Sequence, residues 1–157
     1  MKRNKSVWLI LTTMVICLCM VFGPDALFKL GSTYAQDSSV NEIQLLARAI
    51  HGEARGESYE GQVAVGAVIL NRTRDPNFPK TIAGVIYQPG AFTAVDDGQI
   101  NIPIDSSSSA VKAARDAMDG WDPTDGCIYY WNPATATSSW IWSRQVVKKI
   151  GKHNFAR

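Results

Sequence analysis

Glu53 is a carboxylate at a place where an amphipathic helix calls for an apolar side chain. Ile43, Leu46, Ala47, Ile50 and Ala54 recur at helical spacing, and Glu53 falls three residues after Ile50, on or beside their stripe. A carboxyl group against apolar surface is disfavoured in its charged form, so its pKa rises and it can keep a proton near neutral pH. A protonated carboxyl of this kind is the general acid that cleaves glycosidic bonds. The plainer reading is a solvated glutamate fraying from a helix end. Gly52 and Gly56 favour the first, since bare backbone on either side would let a bulky substrate approach closely, although glycine also ends helices.

A second group of residues carries chemistry. Tyr129, Tyr130, Trp131, Trp140 and Trp142 fall within 14 residues. Alternation along a strand cannot bury all five, and exposed rings beside Asn132, Thr135, Thr137 and Ser138 suit the apolar faces and hydroxyls of sugars. Some of these rings are also expected to serve the core. Metal chemistry has little to work with: His51 and His153 are the two histidines, about a hundred residues apart, and no CxxC or HxxxH spacing accompanies them. Asp96-Asp97-Gly98 is too short for a calcium loop. Neither a metal nor another cofactor is expected. Cys127, flanked by Gly126 and Ile128-Tyr129-Tyr130, reads as a small hydrophobe at the start of a strand. A Cys127/His153 peptidase is the weaker alternative, with no helix start to activate the thiol.

The elements that must position these groups follow from periodicity and caps. A first helix is expected over about 41–54, a second over 59–74 capped by Ser58, a short one from Thr81 through Tyr87, and a third near 109–119 ended by Gly120. Residues 91–106 read as two short strands or extended pieces around Asp96-Asp97-Gly98, and 127–132 as a strand. The tail beyond Trp140 reads as irregular. Glu57 is taken as a solvated charge or cap between the first two helices. Together these predict a mostly helical α+β single domain with a small extended lobe and a cleft between the two.

Of the 157 residues, 1–35 read as a secretory signal, with a basic start, an apolar run from Val7 to Phe22 and small residues before Gln36. An uncleaved anchor is the alternative, and membrane association is expected only in that case. Cys17 and Cys19 fall inside this leader. The remaining 122 residues carry 12 basic and 13 acidic side chains, so the whole-chain charge of +2 belongs to the leader. No basic face for a nucleic acid remains. Residues 36–41 are a lead-in and 42–157 the working domain, expected outside the cytoplasm as a monomer.

The segments Leu46 to Glu57, Glu60 to Arg72, Ile86 to Phe92 and Tyr130-Trp131-Asn132-Pro133 closely resemble the catalytic domain of the SleB/CwlJ family of spore cortex-lytic enzymes, over about residues 42–157. The resemblance implies a lysozyme-like fold, a peptidoglycan partner and cleavage between N-acetylmuramic acid and N-acetylglucosamine during germination, at the cell wall or the spore cortex near the inner membrane. It maps the family's catalytic glutamate onto Glu53. It also implies a lytic transglycosylase, in which the muramic C6 hydroxyl closes a 1,6-anhydro ring and no second carboxylate is needed. Gln88, Phe92, Tyr130, Asn132 and Trp142 are the expected substrate contacts. A hydrolytic wall enzyme of vegetative or sporulating cells and a non-catalytic peptidoglycan-binding module are the alternatives. SleB proteins place a peptidoglycan-binding domain ahead of the catalytic one, and CwlJ-type members lack both that domain and a secretory signal; this chain is read as a signal followed by the catalytic domain.

Overall fold

In the computed structural model the backbone is described for residues 24–157 and side chains from residue 38 onward. The expected leader lies outside the residues with described side chains. The chain divides into two compact units, Met1–Val40 and Asn41–Arg157. No helix among the described residues is long and apolar enough to cross a membrane.

The second unit is built around three helices. Helix α1 runs Pro24–Ala54 and α2 runs Tyr59–Arg74. The short α3 (Ile82–Ile86) and α4 (Thr93–Asp96) follow, then α5, Ser109–Met118. The 36–41 lead-in is therefore helical and part of α1, which begins well before the expected start near residue 41. Ser58, Thr81 and Ser108 each accept a backbone N–H of the helix they open, which fixes where α2, α3 and α5 begin.

Helix α2 is the centre of the domain. Its residues from Gly61 through Ile69 are all buried, as expected for a helix packed on every side. Gly66 marks its closest crossing: a Cβ there would stand 2.9 Å from Ile50 Cδ1 on α1 and 3.2 Å from Ala117 Cβ on α5. On this side Leu46, Ile50, Val63, Ile69, Val111 and Ala114 form the main core. On its other side Ala64 and Val68 pack with Cys127, Ile150 and Phe155 under a small sheet.

That sheet corrects the expectation of an irregular tail. Strands β1 (Tyr129–Trp131), β2 (Val146–Ile150) and β3 (His153–Ala156) pair antiparallel in the order β1-β3-β2. β2 and β3 join through Gly151-Lys152, with Ile150 opposite His153 and Gly151 at φ +57. Residues 91–106 are not strands either. They form α4 and a 3-10 turn, Gln99–Asn101, on either side of Gly98 at φ +79. Phe92, Ala94 and Ile100 turn inward from this segment and are buried.

Candidate functional site

Glu53 stands one residue before the end of α1, half-buried beside the apolar stripe that seats the helix. Its Oε1 accepts the Thr93 N–H at 3.2 Å and its Oε2 accepts the Tyr130 hydroxyl at 3.3 Å. Burial pushes the carboxyl pKa up, and the nearby Asp97 charge pushes the same way. Hydrogen bonds from Tyr130 and from the backbone of Thr93 and Ala94 pull it down, but desolvation is the larger effect, so the proton is held more tightly than on a free glutamate.

Two glycines beside Glu53 have different tasks. Gly52 lines the cleft and also packs tightly, since a Cβ there would lie 2.5 Å from Ala94 Cβ. Its bareness lets α4 sit against α1, which brings the Thr93 N–H to Glu53. A Cβ at Gly56 would meet nothing within 4 Å, and this residue lines open space in the cleft.

Tyr130 reaches Glu53 because the end of α2 holds the chain just before β1. Arg72 Nε donates to the Ile128 carbonyl at 2.8 Å, and Asn71 Nδ2 donates to the Cys127 carbonyl at 3.1 Å and to Asp122 Oδ2 at 2.8 Å. Burial raises the Tyr130 pKa well above its usual value, with the Glu53 charge adding to it, so the phenol stays a neutral donor. Arg72 is a site residue that sequence reasoning misses. Its guanidinium lies 5.2 Å from the Phe78 ring centre and 5.9 Å from that of Phe92, with its pKa lowered by burial.

Glu57 is not the solvated charge expected. Its side chain is 7% exposed, and its Oε2 accepts the Lys152 N–H at 2.9 Å. A Cβ at Gly151 would come 2.1 Å from the same oxygen, so only glycine lets the β2–β3 turn close over this carboxylate. His153 Nδ1 stands 4.0 Å from Glu57 Oε2, and burial lowers the imidazole pKa, which favours its neutral form.

These groups meet in a polar cleft of about 520 Å³ between the helices and the sheet. Of the expected contacts, Tyr130 and Asn132 line it beside Glu53. Phe92 does not: at 1% exposed it belongs to the helical core, where a ring cannot stack on a ligand. Gln88 and Trp142 lie outside the cleft wall; Trp142 is half-exposed and packs edge-on against Trp131, 6.4 Å between ring centres. Trp131 of the aromatic group lines the wall, as do Arg55, Arg72 and Lys152, to which no sequence pattern points. Cys127 is fully buried with its thiol pKa raised by burial, as suits a core side chain. Among the described residues no three His, Cys, Asp or Glu side chains are grouped to hold a metal ion.

Fold and cleft together define the class: a small α+β domain that presents a desolvated carboxyl to a polar groove between helices and sheet. Residues 56–156 match the family model described as Cell Wall Hydrolase, so the chain belongs to the cell wall hydrolase family. The match begins three residues after Glu53. A spore cortex-lytic enzyme of Bacillus cereus is 55% identical over 127 residues, covering 81% of this chain and 48% of that protein. One of Bacillus subtilis is 58% identical over 117 residues, covering 74% and 38%. The chain thus spans about half or less of the length of these relatives. The crystallised catalytic domain of a germination-specific lytic transglycosylase, SleB from Bacillus anthracis, superposes with a TM-score of 0.72 at 57% identity, covering 74% of this chain and 94% of that one.

Proposed function

We propose that this chain cuts the glycan strands of peptidoglycan between N-acetylmuramic acid and N-acetylglucosamine as a lytic transglycosylase, with spore cortex as its substrate. The observation that carries the reading is the Glu53 carboxyl, desolvated in the cleft and aligned by Thr93 and Tyr130. Protonated Glu53 gives its proton to the glycosidic oxygen as the bond to C1 breaks. The resulting carboxylate takes the proton of the muramic C6 hydroxyl, O6 closes on C1, and the acid is regenerated.

A hydrolase would need a second carboxylate to activate water or attack C1. The neighbouring candidates are engaged. Glu57 accepts the Lys152 N–H, and Asp97 accepts both the backbone and the side-chain N–H of Gln99. The names of the relatives favour cortex as substrate, and residues 1–35 are read as the leader that delivers the domain outside the cytoplasm.

Chromatography of muropeptides released from purified cortex tests the reading. The protein should release them, and Glu53→Gln should reduce release by roughly 10²- to 10⁴-fold, the usual worth of a general acid-base group. Binding without release by the unaltered protein would make it a binding module instead.

A further inference from the structure

Trp140 and Trp142 are aromatic side chains that neither the core nor the cleft takes up. They are 50% and 52% exposed, although the segment that carries them is firmly seated. It is a 3-10 turn, Ser139–Ser143, whose middle residue Ile141 is buried with Trp131 and Ala156 in a cluster at the sheet. The Arg144 N–H donates to the Ile141 carbonyl and the Ser143 hydroxyl to the Trp140 carbonyl, which closes the turn on itself. With Ile141 turned in, its two neighbours are held outward. They differ in what stands beside them. Trp140 packs on Tyr129, 5.4 Å between ring centres, and the Arg144 guanidinium lies 5.5 Å from its ring centre; neither neighbour lines the cleft. Trp142 packs on Trp131, which does. These two rings meet edge-on, 6.4 Å between centres and 77° between planes, so the contact covers at most one face of Trp142.

The chain that leads from the cleft wall to this turn is polar. Asn132 and Thr135 line the cleft, and Thr137, Ser138 and Ser139 are exposed beyond it. Trp131 itself is 7% exposed, and its indole Nε1 is enclosed with no acceptor among the described residues. An aromatic and polar surface therefore runs on from the cleft wall to the open face of Trp142. A cleft of about 520 Å³ encloses only a few sugars, so a longer glycan strand extends beyond it. We propose that the strand leaves past Trp131 and that Trp142 is an outer subsite, on which a sugar beyond the cleft stacks. The apolar face of a pyranose matches the indole, and its rim hydroxyls match Thr137 and Ser138. The inference rests on the proposed cleavage of peptidoglycan and adds where the uncut part of the strand is held. That sugar is remote from the bond that breaks, so the subsite binds ground state and transition state alike, which lowers KM and leaves kcat unchanged.

Solubilised cortex strands separated by length provide the test, with rates read on the shortest strands that the unaltered protein cuts and on strands several times longer. Trp142→Ala should raise KM on the long strands roughly three- to tenfold, the worth of one aromatic contact, and leave kcat and the rate on the shortest strands within about twofold. Trp142→Tyr, which keeps a flat ring, should recover most of the loss; where Trp142→Ala fails to fold, Trp142→Leu, apolar but without a flat ring, reads the same loss. Trp140→Ala is the control, because it removes an equally exposed indole from the same turn but away from the cleft, and should leave the dependence on length unchanged. An unchanged KM in Trp142→Ala overturns the subsite, as does an equal loss on short and long strands or an equal effect of Trp140→Ala. A dimer in sedimentation that Trp142→Ala separates would give the ring to a second copy of the chain and overturn it as well. No cleavage of any strand by the unaltered protein overturns the proposed function itself.

Discussion

At Glu53 two effects of opposite sign compete, and the balance between them can be moved by one atom. Burial raises the carboxyl pKa, while the Tyr130 hydroxyl, donating at 3.3 Å, stabilises the carboxylate and lowers it. Tyr130→Phe removes the lowering contribution, so the Glu53 pKa should rise. An acid works only while protonated, so activity falls as pH rises through that pKa. The alkaline limb of the pH profile should therefore move upward in Tyr130→Phe, with kcat reduced several-fold; a downward shift would show that Tyr130 does not set the proton affinity of Glu53. Glu53 is legible in the sequence because it interrupts an apolar stripe within 11 residues. Glu57 and Arg72 are not, since their partners lie 95 and 56 residues away and no local pattern reports them. Phe92 misleads because an aromatic beside a turn signal has the same local sequence whether it faces solvent or core.

Helix positions and caps are readable at the scale of elements, because α2 and α5 are long enough for spacing to identify them and Ser58 and Ser108 mark their starts. The stretch from Ala91 to Asp105 is not, because its helical turns are only 4 and 3 residues long. Over such lengths helical and extended spacing cannot be told apart. In β2 an irregularity between Val146 and Lys148 breaks the two-residue period that would have announced a strand. The seat of α4 on α1 supplies a test. A methyl group at Gly52 would meet Ala94 Cβ at 2.5 Å and displace the Thr93 N–H from Glu53. Gly52→Ala should cost about 1–3 kcal/mol of stability from overpacking, read by urea denaturation. At temperatures where the variant is still folded its activity should fall at least tenfold, and full activity there would mean that the Thr93 contact is dispensable.

Among the described residues α2 joins two of three hydrophobic clusters, and the third, Trp131 with Ile141 and Ala156, lies at the sheet. The face of α2 toward α1 and α5 belongs to the helical core, and Ala64 and Val68 on the other side belong to the core beneath the sheet. Far-UV circular dichroism, which follows the helices, and tryptophan fluorescence, to which Trp131 in the sheet contributes, should therefore report one coincident urea transition. Separate midpoints would mean that the sheet unfolds alone. The α+β class is legible from the run of helical patterns followed by an aromatic-rich extended segment. The sheet's closure over Glu57 is not, because it depends on a turn at Gly151 whose meaning appears only with the carboxylate beneath it.

In the proposed cleavage Glu53 serves as both acid and base, with the C6 hydroxyl of muramic acid taking the place of water. Cleaving cortex strands in water enriched in ¹⁸O, with rapid borohydride reduction of the products and mass spectrometry of the new ends, tests it most directly. The expected products are 1,6-anhydro-muramic ends that resist reduction and carry no ¹⁸O, formed by the unaltered protein and absent with Glu53→Gln. Reducible ends carrying ¹⁸O would contradict it and place an activated water, with a second group to activate it, in the cleft.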